Sequence, residues 1–157
     1  MDIKESLLYY FNSTKYSELD LGKLPTGAYG DNDTRLLFST IKFLSGKKSL
    51  NILEISPDKG KTTAIMLQAL TTSPHEGHLI QSYDVHSSSE SLDIANSKIT
   101  RKLYVGDAKT TVLREDVEEC DFLFLDSDHT YSFGEWYAKD IIPYIKSNTL
   151  IFVHDWP

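Results

Sequence analysis

The segment 49–70 is the sequence feature that most constrains how this chain can fold. It opens with an apolar, β-branched run at 50–55, which has the length of a buried strand. Ser56-Pro57-Asp58 breaks that run, and after Gly60 apolar residues recur at helical spacing. A strand, a tight loop and a helix N-terminus form the basic ligand-binding unit of an open α/β sheet, because ligands settle beyond the strand ends. The N–H groups that begin such a helix favour anionic or polar ligand atoms.

Two kinds of ligand fit this loop. Gly60-Lys61-Thr62 supplies the second half of the phosphate-loop pattern, and Asp126 would be the Mg²⁺-binding acid of a nucleotide hydrolase. Ile55, however, stands where the first glycine of that pattern must be, and its branched side chain would fill the space over the phosphates. The second interpretation rests on Glu54, an acid at the strand end with no basic neighbour. Burying a carboxylate is costly unless it is bound, so Glu54 suits a ligand with an ammonium group or a ribose.

Length and charge limit the classes of function. The 157 residues predict a single domain, with an N-terminal helix and arm at 1–30 and an α/β core at 31–157. The net charge of −7, from 16 basic and 23 acidic side chains, argues against nucleic-acid binding and against a polybasic membrane anchor. The single cysteine, Cys120, allows no intrachain disulfide and favours a reduced compartment, so a cytoplasmic location is expected. The N-terminus does not read as a signal peptide, and no apolar run has membrane-spanning length.

Strand-like and helix-like segments alternate along the chain. The predicted strands are 50–55, 78–84, 101–105, 120–126 and 150–155. The predicted helices are 2–11, 31 to about 45, 60–72, 88–98, 108–114 and 131–145. Such alternation is typical of βαβ units, so the pattern predicts a Rossmann-like, doubly wound parallel sheet of about five strands.

Each predicted strand ends in an acid: Glu54, Asp84, Asp107, Asp126 and Asp155. Acids that merely punctuate loops would be scattered over both ends of the strands. All five instead fall on the side where an open parallel sheet binds its ligand. Asp84 follows the first strand at about the spacing of a carboxylate that binds ribose hydroxyls. One such acid alone is more often a cap or turn residue, whereas the set predicts a ligand-binding edge.

From about Gly27 to Asp155 the chain resembles class I S-adenosylmethionine-dependent methyltransferases. Leu53 to Thr62 lies where that family carries its acid-x-G-x-G-x-G loop. Tyr83-Asp84 is similar to the second-strand acid that binds the ribose, and Gly106-Asp107-Ala108 is similar to the turn that holds the adenine.

The segment 120–131 carries the most distinctive part of this resemblance. Its sequence, CDFLFLDSDHTY, resembles the D-F-x-F-x-D-G-D-H-x-Y segment of the small-molecule O-methyltransferase-like branch, which includes antibiotic-sugar enzymes. The final run, LIFVHD at 150–155, resembles the fifth strand of the same branch.

The resemblance implies S-adenosylmethionine as cofactor and methyl transfer to a small hydroxylated molecule or a sugar. The implied cofactor-binding residues are Glu54, Ser56, Gly60, Asp84, Asp107, Ala108 and Asp126. The chain would act mainly by aligning the nucleophile with the methyl group. His129 is the candidate general base and Asp126 the second candidate catalytic residue, since an imidazole titrates near working pH.

The metal-dependent branch further implies a divalent cation, held by Asp126 and Asp155 at the fourth and fifth strand ends. Asp128, His129 and His154 are further candidate ligands. Carboxylates alone would suit Mg²⁺, whereas the two histidines would favour a softer metal. The alternative is that these acids are only strand caps and turn residues.

The chain departs from the family pattern in two places. Ser56 and Asp58 replace loop glycines, which favours the alternative of a binding module that keeps the fold without catalysis. The sequence also stops at Trp156-Pro157, before the usual C-terminal helix and β-hairpin, so we expect either a minimal five-stranded domain or part of a longer protein. The strand at 150–154 would then be an unprotected sheet edge, and we expect it to be covered, for example in a homodimer.

Overall fold

Five parallel strands form one sheet in a computed structural model that describes residues 5, 11–12, 18–26, 30–87 and 96–154. The strands are β1 Asn51–Ile55, β2 His78–Asp84, β3 Ile99–Val105, β4 Phe122–Leu125 and β5 Leu150–Val153. Their order is β3-β2-β1-β4-β5, and all neighbours run parallel. This confirms the predicted Rossmann-like sheet. Most residues of the helices predicted at 2–11 and 88–98 lie outside the described residues.

Helices cover both faces of the sheet. They are α1 Asp31–Ser45, α2 Lys61–Thr71, α3 Ala108–Thr111, α4 Arg114–Glu119 and α5 Tyr131–Trp136. Successive residues of a strand point to opposite faces, so Ile52 packs with α1 and α2 while Leu53 and Ile55 pack with the later helices. Burial on both faces explains why β1 and β4 read as continuous apolar runs.

The helix boundaries differ from the predicted ones in two places. The predicted helix at 108–114 is the short α3 followed by a separate helix, α4, which the sequence pattern did not predict because only Val117 of its residues is buried. The predicted helix at 131–145 is three segments: α5, a π-helical turn at Tyr137–Ile141 and a 3₁₀ turn at Ile142–Tyr144. Pro143 lies within this last turn and has no N–H to continue an α-helix.

β5 is the edge strand of the sheet next to β4. In the part of the chain that the structure describes, β5 pairs only with β4, and Ile151 and Val153 are each about two-fifths exposed. Covering of this edge by a second chain stays a prediction.

Cys120 is buried, and burial raises the pKa of its thiol to about 11, so the thiol is not a reactive nucleophile. No helix among the described residues is both long and apolar enough to cross a membrane.

Candidate functional site

All five strands end at one edge of the sheet, which we call the carboxyl edge. After β1 the chain crosses to β2 on one side, whereas β4 lies on the other side of β1. Chain connections therefore diverge at the carboxyl end of β1, which is where an open parallel sheet leaves a crevice for a ligand.

The loop after β1 alternates into left-handed backbone conformations. Ser56 has a φ of 62°, Asp58 a φ of 48° and Gly60 a φ of 84°. These are the three positions at which the acid-x-G-x-G-x-G pattern places glycine. Two residues with side chains thus adopt the glycine conformation, at a cost of about 1–2 kcal/mol each that aspartate reduces by local hydrogen bonding. The loop therefore keeps the backbone conformation of the glycine pattern although two of its three glycines are replaced.

Backbone N–H groups of this loop are held by β2 and by the loop itself. Ser56 N–H donates to the Tyr83 carbonyl at 2.8 Å, and Gly60 N–H donates to the Pro57 carbonyl at 2.7 Å. Asp58 N–H donates to Asp84 Oδ2 at 2.8 Å. The end of β2 therefore fixes both the entry and the middle of the loop.

Asp84 lies at the carboxyl edge and is almost fully buried. Its Oδ2 accepts the Asp58 N–H, and its Oδ1 accepts the His86 N–H at 2.9 Å. A carboxylate offers about four acceptor positions, so two protein donors leave capacity for a pair of hydroxyls. The ribose contact itself stays a prediction.

Glu54 is fully buried and accepts three hydroxyl hydrogen bonds. Thr62 Oγ1 donates to Oε1 at 2.6 Å, while Thr63 Oγ1 and Ser82 Oγ donate to Oε2 at 2.6 and 2.7 Å. Burial raises the pKa of Glu54, and the three hydroxyls oppose that rise. The expectation that this carboxylate stays uncompensated until a ligand binds is wrong, because the missing partners are hydroxyls of α2 and β2. Its direct contact with a cofactor stays a prediction.

The bond from Thr62 to Glu54 also bears on the nucleotide-hydrolase alternative. In a phosphate loop, the Ser/Thr hydroxyl after the lysine binds Mg²⁺. Here that hydroxyl is buried and donates to Glu54. The geometry therefore disfavours the hydrolase.

The turn after β3 holds the third predicted cofactor contact. Asp107 caps α3 by accepting the Lys109 N–H at 3.0 Å, and Ala108 is buried beside it. Gly106 has a φ of 153°, and a Cβ there would come within 2.8 Å of Thr111 Cγ2, so this turn requires glycine. Contact of Asp107 and Ala108 with an adenine stays a prediction.

Asp126 and two histidines meet where β4 and β5 end. His154 Nδ1 is 3.1 Å from Asp126 Oδ1, and His129 Nε2 is 3.7 Å from the same oxygen. The His154 side chain is largely buried, whereas that of His129 is about half exposed. A carboxylate that binds one nitrogen of an imidazole orients the ring, so His154 is better fixed than His129.

A cavity of about 410 Å³ opens beside this group. The ends of β4 and β5 form one wall with Leu125 and Val153, and the helical segment after Thr130 forms the other with Phe133, Tyr137 and Ala138. Its volume lies in the range of pockets that take small organic ligands.

Comparison with known proteins assigns the fold to a family. Residues 53–156, which include the last three residues of β1 and the rest of the carboxyl edge, match a family described as a methyltransferase domain. The chain belongs to this methyltransferase family. Among curated proteins there is no match. One similar solved structure is the methyltransferase PaMTH1 of Podospora anserina, bound to S-adenosylhomocysteine; it is 16% identical, with a TM-score of 0.45. The match covers 95% of this chain and 61% of that one.

The described part of this methyltransferase domain does not form a metal centre. No three His, Cys, Asp or Glu side chains in it are placed to hold a metal ion together. His154 Nδ1 and Asp126 Oδ1 contact each other directly, without a bridging atom. Asp128 is exposed at the cavity, and Asp155 lies outside the described residues. The divalent cation is therefore unsupported here.

Sequence reasoning missed some groups of the methyltransferase site. It gave Thr62, Thr63 and Ser82 no contact with Glu54, and no sequence signal links Glu54 to hydroxyls up to 28 positions away. Tyr137 lies in the π-helical turn and is buried. The hydrogen bond between its hydroxyl and Ser127 Oγ was not foreseen.

Proposed function

We propose that this methyltransferase domain transfers a methyl group from S-adenosylmethionine to a hydroxyl oxygen of a small molecule. The observation that carries the proposal is the loop after β1, whose glycine-like backbone at Ser56, Asp58 and Gly60 is joined to Asp84. Backbone strain of this kind clusters at ligand-binding and active sites, and here it falls on the positions of the family's loop glycines.

The cofactor would lie across the carboxyl ends of β1, β2 and β4. Asp84 would accept the ribose hydroxyls, and the loop at 56–60 would lie against the methionine part of the cofactor. Asp107 and Ala108 would flank the adenine. Bound S-adenosylmethionine supplies a sulfonium methyl group that a nucleophilic oxygen can accept.

The acceptor would occupy the cavity beside Asp126. In this position the chain's residues align the acceptor oxygen and exclude water, which are the main contributions available to a displacement reaction. His154, oriented by Asp126, would take the hydroxyl proton, and His129 would stand at the cavity mouth. The role of base thus moves from His129, the residue that the motif suggested, to His154.

The cavity walls favour an acceptor with an apolar body over a sugar. Four of the polar side chains there bind one another in pairs: Tyr137 with Ser127, and Glu135 with Lys139 at 2.6 Å. A sugar with several hydroxyls would leave many of them without partners, and each such loss weakens binding.

Calorimetry with S-adenosylhomocysteine and with ATP tests the proposal. We expect the wild type to bind the first compound and not the second. Asp84→Ala should weaken that binding by about 1–3 kcal/mol, the value of hydrogen bonds to a charged group. Glu119→Ala, which removes an exposed acid just before β4 at the opposite edge, is the matched control and should change nothing.

The alternative outcomes separate the candidate functions. Binding of S-adenosylhomocysteine without turnover of any acceptor would support the inactive binding module. Binding of ATP alone would restore the hydrolase. If Asp84→Ala does not fold, Asp84→Asn keeps the shape of the side chain and tests the same contact.

A further inference from the structure

The side chain of Glu54 links the two ends of the loop after β1, which we call the base of the loop. This residue precedes the last position of β1, and its oxygens bind the hydroxyls of Thr62 and Thr63 in the first turn of α2. The two ends of the loop at 56–60 are thereby joined through one buried side chain. A third bond, from Ser82, ties the same carboxylate to β2. We call these four side chains the Glu54 cluster.

The cluster and Asp84 act on the same loop from two directions. Ser82 and Asp84 lie two positions apart on β2, one bound to the base of the loop and the other to its middle at Asp58 N–H. Thr62, Thr63 and Ser82 are almost completely buried, so water cannot replace their bonds to Glu54. The loop is therefore anchored before any ligand arrives.

Ser56 and Asp58 need such an anchor. Both hold a left-handed conformation that residues with side chains seldom adopt, and such strain persists only where the surroundings enforce it. Glycine at these positions would adopt the same φ values readily. An unanchored loop with Ser56 and Asp58 would spend most of its time in other conformations.

We propose that the Glu54 cluster is a positioning device that substitutes for the missing glycines, keeping the loop in its ligand-binding conformation. Glu54 is thus a positioning residue and does not itself contact the cofactor. The inference rests on the proposed function, because the ligand in question is S-adenosylmethionine. When the binding conformation is populated only in part, the apparent dissociation constant rises by the inverse of that fraction.

A rescue experiment tests the proposal. Glu54→Gln retains the side-chain shape but loses an acceptor, and we expect it to weaken S-adenosylhomocysteine binding about tenfold in the folded protein, as only part of the population then keeps the binding conformation. Adding Ser56→Gly and Asp58→Gly to this variant should restore the affinity to within about twofold, because glycine no longer needs the anchor. The same two glycines in the wild type give the reference affinity against which this restoration is measured.

Threonine variants supply the matched control. Thr63→Val removes one donor to Glu54 and should weaken binding in the same way as Glu54→Gln. Thr71→Val removes a similar hydroxyl at the other end of α2, one that donates to the Leu67 carbonyl, and should leave binding unchanged. If Glu54→Gln fails to fold, Thr63→Val carries the same rescue test.

A second readout needs no ligand. Hydrogen exchange at the amides of Asp58 and Gly60 should accelerate in Glu54→Gln, while amides in the middle of β1 and β4 stay protected. Weakened binding that the glycines fail to restore would show a direct contact of Glu54 with the ligand and overturn the inference. Unchanged binding and unchanged exchange would also overturn it. A wild type that does not bind S-adenosylhomocysteine, but shows the faster exchange, would remove the proposed function and leave the anchoring role.

Discussion

The two halves of the carboxyl edge are built in opposite ways. Beside β1 and β2, the polar side chains are buried and hydrogen-bonded inside the protein, as Glu54 and Asp84 show. Beside β4 and β5, a cavity with apolar walls lies next to polar groups that are partly or fully exposed, such as His129 and Asp128. Among the described residues of this half, the contact with Asp126 holds the imidazole of His154, the base that we propose.

This difference matches the tasks that we propose for the two halves. A region that always binds the same cofactor gains affinity from being fixed in advance, since less conformational freedom is lost on binding. A region that binds the acceptor and moves its proton needs space and accessible groups. Substitutions in the first half should therefore affect stability and cofactor affinity, and those in the second half should affect turnover.

The largest expected effect is on turnover in the β4–β5 half. His154→Gln should lower the rate of methyl transfer by about 10²–10⁴-fold, the usual contribution of a positioned base. Affinity for S-adenosylhomocysteine should stay within about twofold, because we place His154 beside the acceptor and not beside the cofactor. A tenfold loss would correspond to about 1.4 kcal/mol. Single-turnover assays and calorimetry on the same preparation measure both quantities. A larger loss of rate in His129→Gln than in His154→Gln would return the role of base to His129.

Stability should respond most strongly in the β1–β2 half. Glu54→Ala leaves three buried hydroxyls without their acceptor, so the free energy of unfolding should fall by about 2–4 kcal/mol. Urea denaturation of this variant beside His154→Ala makes the comparison directly. Equal losses in the two variants would mean that the halves are not built differently.

The strained loop gives an effect of the opposite sign. Ser56→Gly and Asp58→Gly should each raise the free energy of unfolding by up to about 1 kcal/mol, because relief of left-handed strain exceeds the entropy that glycine adds to the unfolded chain. Lys59→Gly is the control in the same loop, since the Lys59 φ is not positive, and it should destabilise. A stability gain at Lys59 as large as that at Asp58 would show that strain is not the cause.

The smallest effect is a dependence on pH. Burial raises the pKa of Glu54, so the folded state binds this proton more tightly than the unfolded state does. Its contribution to stability is complete below the unfolded pKa and is lost as pH rises through the folded pKa. The stability of the wild type relative to Glu54→Gln should therefore increase as pH falls from neutral towards 4.5, the ordinary pKa of a glutamate side chain. A relative stability that falls over this range would mean that the carboxyl pKa is lowered instead.

The sequence alone determined where the strands lie along the chain and that they pair in parallel. Apolar runs such as 50–55 and 78–84 are local signals, and the structure places β1 and β2 within one residue of them. Alternation with helices then required parallel strands, which bring all strand ends to one edge. The gathering of Glu54, Asp84, Asp107 and Asp126 at that edge follows from this topology, so it could be predicted without coordinates.

Only the tertiary structure decided which partners those acids take. Glu54 binds Ser82 across 28 positions because β1 and β2 pair in a register that sets Glu54 beside Ser82. His154 reaches Asp126 across the same separation because β5 lies next to β4. The left-handed backbone of Ser56 and Asp58 runs against the preference of those residue types, so no local pattern could predict it. Propensity and periodicity act over a few neighbouring residues, whereas register, hydroxyl partners and strain depend on contacts between distant segments.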